Sequence, residues 1–330
     1  MNHAFHRLAV IAAVLTFCVI VLGAWVRLSD AGLGCPDWPG CYGQLTWPGH
    51  ETEIERANQA FPERPVETHK AWREMVHRYL AGLLVLAVVA LNWLAWRPHN
   101  RVAEFRLKAG LLLGLILFQA ALGMWTVTLK LLPVVVMAHL LGGMATLALL
   151  VWVIYASRYA RDYHPGPQIR RMKTLVLASL AVLVLQIALG GWTTANYAAL
   201  ACPDFPTCQG QLWPDANFRE GFILWREIGA DFEGGLLDLP SRTAIHMTHR
   251  IGAVITLLLL LYTGFRLTRV ATLQRSGVLL ISLVSLQFAL GVMNIIWQLP
   301  LANAVAHNGV AALLLALLIG LSYRTSAGRA

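Results

Sequence analysis

The sequence predicts an all-α integral membrane protein in which eight transmembrane helices form two four-helix bundles. Three observations support this prediction. Of the 330 residues, 57% are hydrophobic and only 13% are charged, whereas a soluble domain carries about 25% charged residues. The hydrophobic residues fall into eight runs, each near the length of about 20 residues that crosses a bilayer. Lys and Arg collect in alternate connections between these runs, a pattern that is typical of membrane proteins.

The eight runs account for about half of the chain, which explains its composition. The first run follows His6 and Arg7, as the apolar part of a signal peptide would. It continues through Trp25 without a cleavage site of small residues, so we interpret it as a helix. The predicted spans are residues 8–27, 76–96, 109–128, 134–156, 174–194, 245–265, 277–297 and 304–323.

The net charge of +9 reflects the orientation of these helices. With a cytoplasmic N-terminus, the inner segments carry 15 Lys and Arg against two acids, Glu104 and Asp162, and the outer face is mildly acidic. Short loops rich in Lys and Arg stay in the cytoplasm, so both termini are predicted to be cytoplasmic. A nucleic-acid partner is not expected, because neither zinc-finger spacing nor alternation of Arg with aromatic residues accompanies the charge. The inner basic residues are Arg7, Arg97, Arg101, Arg106, Lys108, Arg158, Arg161, Arg170, Arg171, Lys173, Arg266, Arg269, Arg275, Arg324 and Arg329.

The two halves of the chain share four landmarks at nearly one sequence offset, which predicts an internal duplication. Each half holds four helices, an even number, so both halves enter the membrane in the same sense. A pseudo-two-fold axis along the membrane normal should therefore relate residues 1–163 to residues 164–330. The matching segments are Gly34–Leu45 with Ala201–Leu212, His77-Arg78 with His249-Arg250, Gln119 with Gln287, and Ala138-His139 with Ala306-His307.

A shorter motif recurs in the outer half of each odd-numbered predicted helix. Its glycine could let neighbouring helices approach while an aromatic residue lies at the headgroup level. Alternatively, the missing side chain could make room for a flat ligand, and the two interpretations are compatible. The four copies are Leu22–Trp25, Leu122–Trp125, Leu189–Trp192 and Leu290–Met293.

Four histidines lie inside predicted helices, within about two turns of the outer surface. Ionisable side chains at such positions are functional candidates, although any one of them alone could be a hydrogen-bonded structural residue. Zinc and copper sites usually draw several ligands from nearby positions, whereas haem supplies four nitrogens and needs only two axial ligands. We therefore predict two bis-histidine haem sites, formed by His77 with His139 and by His249 with His307.

Neighbouring polar residues distinguish the two predicted sites. Arg78 and Arg250 could pair with haem propionates or simply extend to the lipid headgroups. Glu74 lies three residues before His77, on the same helix face, and its counterpart in the second half is His246. A carboxylate beside one haem only predicts chemistry in the first half and electron transfer or a structural role in the second. The alternative for Glu74 is an interfacial residue that faces water.

Four cysteines form two pairs with the same spacing in the long outer loops. An oxidising compartment favours a disulfide bond in each loop. For the first pair, a redox role above the first haem site is an alternative to a purely structural bond. A fifth cysteine, Cys18, lies in an apolar run and is predicted to pack there. The pairs are Cys35 with Cys41 and Cys202 with Cys208.

Together these motifs resemble the haem A synthase family, in its bacterial form with cysteine pairs in both long outer loops. The resemblance covers essentially the whole chain and rests on the eight spans, the Glu-x-x-His-Arg sequence against His-x-x-His-Arg, the partner histidines and the cysteines. It implies an enzyme of the bacterial inner membrane whose active-site end lies near the periplasmic face. That enzyme oxidises the C8 methyl group of haem O to a formyl group, with water as the oxygen source, and gives haem A for haem-copper terminal oxidases.

The resemblance also implies a role for each site residue. His77 and His139 would bind the substrate haem, whereas His249 and His307 would bind one haem b cofactor. Glu74 would act as an acid and base or stabilise developing charge. Haem O synthase would be the substrate donor, while no residue identifies the electron acceptor or an oligomeric state.

Two other functions share part of this pattern. A dihaem cytochrome b that transfers electrons from quinol would use both histidine pairs, but it would need neither a carboxylate at one site nor two cysteine-bearing loops. A haem transporter is expected to have helices broken by Pro or Gly at the midplane of both halves, and the apolar runs contain no matched pair of such breaks. Residues 51–67 and 217–238 match no motif.

Overall fold

The computed structural model describes residues 3–97, 105–158 and 165–326. Within these ranges the regular structure is helical, apart from two isolated β-bridges in the outer loops. Eight helices in the described residues are long and apolar enough to cross a membrane. The prediction of an all-α, multi-pass membrane protein is therefore confirmed.

The helices follow one another in the order α1 (His3–Leu28), α2 (Glu51–Ala60), α3 (Thr68–Trp96), α4 (Arg106–Thr128), α5 (Pro133–Arg158), α6 (Pro167–Arg170), α7 (Lys173–Ala195), α8 (Phe218–Gly221), α9 (Leu239–Thr268), α10 (Gln274–Ile296) and α11 (Leu301–Ser326). A short 3₁₀ helix, Ala271–Leu273, precedes α10. Helices α2, α6 and α8 are too short to span a bilayer, and the other eight coincide with the eight predicted runs.

The spanning helices begin earlier than hydropathy predicts, and the difference is largest for α3 and α9. Helix α3 begins at Thr68 rather than at residue 76, and α9 begins at Leu239 rather than at residue 245. The first two turns of both helices contain several polar residues, so the apolar run begins after them although the helix has already started. In α9 the start is fixed by Asp238, whose carboxylate accepts a hydrogen bond of 3.0 Å from the Ser241 N–H, as helix-capping residues do.

The helices of each half are packed in a ring of four. In the first half, α1 and α4 each pack against both α3 and α5, so α3 and α5 lie at opposite corners. In the second half, α7 and α10 each pack against both α9 and α11, so α9 and α11 lie at opposite corners. Contacts of α11 with α1 and α5, and of α5 with α7, join the halves through a continuous apolar core.

The outer connections of the two halves also contact each other. The Arg64 guanidinium lies 2.5 Å from a carboxylate oxygen of Glu233 and 2.8 Å from one of Asp231. Arg27, at the end of α1, donates a hydrogen bond of 2.9 Å to the Thr194 carbonyl at the end of α7. The two regions that matched no motif therefore contact each other: the first contributes the arginine, and the second contributes its two acidic partners.

Some sequence predictions fall outside the described residues. These are the boundary between the halves at residues 163 and 164, and the inner charges Arg101, Glu104, Arg161, Asp162 and Arg329. The cytoplasmic position of the termini stays a prediction.

Candidate functional site

The four helix histidines lie on the opposite corners of the two rings. His77 is on α3 and His139 on α5, and their imidazoles are near enough for their charges to interact. His249 on α9 and His307 on α11 are related in the same way. All four side chains are only partly accessible. Each half therefore carries one histidine on each of two opposite helices of its ring.

Each of these imidazoles packs against the glycine of the short repeated motif. A Cβ atom on the glycine would lie only about 3 Å from the imidazole Cε1, closer than side chains normally pack. The short motif therefore makes room for a histidine of the neighbouring helix, which favours the helix-packing interpretation. The added Cβ would lie 2.9 Å from His77 at Gly23, 3.3 Å from His139 at Gly123, 3.2 Å from His249 at Gly190 and 3.1 Å from His307 at Gly291.

Glutamine amides contact three of the four histidines. The Gln119 Nε2 donates to the His139 carbonyl at 2.8 Å. The Gln186 Nε2 lies 3.0 Å from both the carbonyl and the Nδ1 of His249, and the Gln287 Nε2 lies 3.1 Å from the His307 Nε2. Sequence analysis identified Gln119 and Gln287 as repeated positions but missed Gln186, although each of the three stands four residues before a motif glycine.

The donor set of each half fits a haem. The buried Nδ1 atoms of His77, His139 and His307 have no hydrogen-bond partner within the described part of the chain, and such atoms are rare in folded proteins. Two opposed imidazoles are what the axial positions of a haem iron require. In the described ranges, no three His, Cys, Asp or Glu side chains are grouped as a zinc or copper site would need.

Glu74 is buried, with 5% of its surface exposed, so it is not a water-facing residue. One carboxylate oxygen lies 2.5 Å from the Arg78 guanidinium. The other accepts a hydrogen bond of 2.9 Å from the Cys35 N–H. The carboxylate thus connects the helix turn before His77 to the first cysteine loop.

The corresponding contacts in the second half use an imidazole. His246 is 4% exposed, and its Nδ1 accepts a hydrogen bond of 3.2 Å from the Cys202 N–H. The Arg250 Nε lies 3.4 Å from the other ring nitrogen. The cysteine loop is therefore connected to the helix by a carboxylate, Glu74, in the first half and by an imidazole, His246, in the second.

Arg78 and Arg250 hold the cysteine loops. Arg78 donates to the Asp37, Pro39 and Gly40 carbonyls, with a distance of 3.0 Å to Asp37. Arg250 donates to the carbonyls of Cys202, Asp204 and Thr207 at 2.8–2.9 Å. Neither group simply extends to the headgroups, and their pairing with propionates stays a prediction.

Both cysteine loops are closed by disulfide bonds in the structure, Cys35 with Cys41 and Cys202 with Cys208. Each loop is braced by an aspartate that accepts hydrogen bonds from two backbone N–H groups. Asp37 accepts from Tyr42 at 2.6 Å and Gly43 at 2.7 Å. A hydrogen bond from the Thr207 hydroxyl lowers the pKa of the Asp204 carboxyl, which also accepts from the Gln209 and Gly210 N–H groups. The fifth cysteine, Cys18, is exposed on α1 rather than packed in the core.

Mass mapping of the protein without reduction is expected to yield two loop peptides that each contain an internal disulfide bond. Short loops braced by an aspartate hold the two sulfur atoms of each pair together, so exchange between the loops is not expected. Free thiols at any of the four positions, or a bond that joins the two loops, would contradict this assignment. Cys18, which forms no disulfide bond, serves as the internal control, because it should be the residue that alkylates when the protein is unfolded without reduction.

Comparison with known proteins gives a consistent family. Residues 6–319 match the family model COX15-CtaA, described as a cytochrome oxidase assembly protein. A haem A synthase of Shewanella oneidensis is 45% identical over 313 residues, which cover 95% of this chain and 94% of the relative. Haem A synthases of a Caulobacter species and of Halalkalibacterium halodurans are 29% and 26% identical and cover 93% and 90% of this chain. The family match, residues 6–319, spans both histidine pairs and both cysteine loops.

Proposed function

The chain belongs to the COX15-CtaA family, and we propose from this premise that it is a haem A synthase, which converts haem O to haem A. The observation that carries the proposal is the unequal pair of sites. Each half has histidines on two opposite helices, but among the described residues only the first half places a buried carboxylate, Glu74, one turn from a histidine. A dihaem cytochrome b would not need this difference, and neither the family model nor the relatives support that alternative.

The two halves take different haems in this proposal. The first half, residues 1–163, binds the substrate between His77 and His139. The second half, residues 164–330, binds one haem b between His249 and His307, and this cofactor supplies one-electron transfer when it is bound. Histidines on opposite helices of each ring support one haem in each half, and the buried Glu74 one turn before His77 supports the first half as the substrate site.

The reaction is the oxidation of the C8 methyl group of the substrate to a formyl group, with oxygen taken from water. The methyl carbon gains one oxygen and loses two hydrogens, so four protons and four electrons leave the substrate and the water, and the electrons pass to an acceptor that no residue of this chain identifies. Glu74 is the group that takes a proton or stabilises positive charge at the edge of the macrocycle. Its ion pair with Arg78 and its hydrogen bond from Cys35 fix the carboxylate in position.

The first disulfide bond lies next to this carboxylate. The Cys35 N–H contacts Glu74, and the loop that contains the bond is held by Arg78. This proximity makes the Cys35–Cys41 pair a candidate to exchange electrons with the first site. Beside the second bond, Cys202–Cys208, the position of Glu74 is taken by His246, so this bond is assigned a structural role.

The orientation follows from the distribution of charge. Both termini are proposed to be cytoplasmic, and the cysteine loops then lie in the periplasm of a bacterium, above the inner membrane. The repeated order of helix packing supports a pseudo-two-fold axis along the membrane normal. Substrate is proposed to arrive from a haem O synthase in the same bilayer, and the product serves haem-copper terminal oxidases.

Pigment analysis tests the proposed function. The full-length protein is purified from cells that also make haem O, and its extracted haems are separated by chromatography. We expect haem b together with haem O, haem A or a hydroxylated intermediate. Finding haem b alone in both halves, with no oxidised derivative in the membranes, would establish the dihaem cytochrome instead.

A further inference from the structure

We propose that the three membrane glutamines are positioning residues for the haem-ligating histidines, and that the missing fourth glutamine leaves His77 as the ligand that releases the substrate haem. The inference rests on the proposed function, because it assumes that one haem stays bound while the other is exchanged. It concerns Gln119, Gln186 and Gln287, together with Val19, which stands in place of a fourth.

The positions of the glutamines follow the short glycine motif. Gln119, Gln186 and Gln287 each precede a motif glycine by four residues, on α4, α7 and α10. Residues four apart lie on one face of a helix, so the glutamine and the glycine face the same histidine. In α1 the residue four before Gly23 is Val19, which has no hydrogen-bonding side chain.

Each glutamine amide is only half satisfied. Its Nε2 contacts the histidine, whereas its buried Oε1 has no partner in the described part of the chain. An imidazole that binds iron through one nitrogen carries a proton on the other and needs an acceptor there. If the side-chain amide of a glutamine rotates by 180°, its Oε1 takes the place of its Nε2 and accepts a hydrogen bond instead of donating one. The unpaired Oε1 atoms of Gln186 and Gln287 therefore match this requirement at His249 and His307. Gln119 acts on His139 through the backbone carbonyl, which fixes the helix at the ligand.

The neighbouring helices leave space for two of these amides. A Cβ on Gly142 would overlap with the amide oxygen of Gln119, and a Cβ on Gly252 would overlap with that of Gln186. Both glycines stand three residues after the histidine that the glutamine holds. The corresponding residue after His77 is Leu80, so His77 has neither the glutamine nor the glycine found at His139 and His249.

The distribution of the amides corresponds to the fate of the two haems. Both ligands of the cofactor haem, His249 and His307, have a glutamine, and a cofactor must stay bound through many turnovers. The substrate haem has one ligand whose helix is held by a glutamine, His139, and one that packs against the glutamine-free helix α1, His77. A substrate must enter and its product must leave, so His77, the less constrained ligand, is the histidine that separates from the substrate haem first.

The first test adds the missing glutamine. V19Q, and the double variant V19Q/L80G that also recreates the glycine, are compared with the wild-type protein, each loaded with haem O. Release of haem O to an excess of apomyoglobin is followed by chromatography, which separates it from haem b. Release should slow by about fivefold, the ratio that corresponds to one hydrogen bond of about 1 kcal/mol. V14Q, at an exposed position of the same helix, should release haem O at the wild-type rate; unchanged release from both V19Q proteins would overturn the proposal.

The second test removes an existing amide and does not depend on the folding of V19Q. Q287L should release haem b about fivefold faster and should shift the low-spin signal of the oxidised haem in electron paramagnetic resonance. Q287N should restore part of both properties, and Q274L, at the exposed start of the same helix, should alter neither. Wild-type release and an unchanged signal in Q287L would refute the positioning role. If the wild-type protein converts haem O but the variants give these negative results, only this inference fails. If the wild-type protein binds no haem in either half, the proposed function fails.

Discussion

Glu74→Gln is expected to lower the formation of haem A by about 10²- to 10⁴-fold, the range associated with loss of a general acid or base, while haem remains bound. The amide is nearly the same size as the carboxylate and can still accept the hydrogen bond from Cys35. It cannot take up a proton in the same way, and it cannot balance the charge of Arg78. The iron ligands are unchanged, so binding of the substrate should persist.

The measurement is the ratio of haem A to haem O extracted from membranes that contain equal amounts of each protein. Glu63→Gln, an exposed carboxylate in the same outer connection, provides the matched control and should give the wild-type ratio. Normal product formation by Glu74→Gln would remove this residue from the mechanism. Loss of bound haem from the variant would instead assign Glu74 a role in holding the cysteine loop.

His77→Leu and His249→Leu are expected to remove different haems. Each variant loses one of two axial ligands in its own half, and the other half keeps both. His249→Leu should therefore lack haem b and retain haem O, whereas His77→Leu should retain haem b alone. Both should form no detectable haem A, because the reaction in the proposal needs the substrate site and the cofactor site together.

The haem content per protein and the identity of the extracted haem provide the measurement. His69→Leu replaces an exposed histidine of the same helix as His77, and it should bind both haems. If His77→Leu and His249→Leu lost the same haem, the assignment of substrate and cofactor to separate halves would be wrong. If either variant kept its full haem content, its histidine would not be an iron ligand.

The partners of Arg78 and Arg250 differ from those that the sequence indicated. An arginine after a helix histidine indicates an anion partner or a headgroup contact. The structure instead shows that both side chains gather backbone carbonyls of the cysteine loops. Those carbonyls are about 40 residues away along the chain, so no local pattern could identify them as the partners.

The glutamines show the same limit in another form. Gln119 and Gln287 could be recognised from the repeat, because their positions correspond in the two halves. Gln186 corresponds to Val19 in the first half and was therefore missed. Its importance depends on its contact with His249, which arises only when α7 and α9 pack together.

The sequence by itself determined the membrane class, the number of spanning helices, the histidines and the cysteine pairs. These features are local, since hydropathy over about 20 residues selects a span and short spacings select a loop. Only the tertiary structure decided which helices lie at opposite corners, that each motif glycine accommodates an imidazole, and that Glu74 is bound by the first cysteine loop. Those contacts join residues far apart in the chain, and their geometry depends on how whole helices pack against each other.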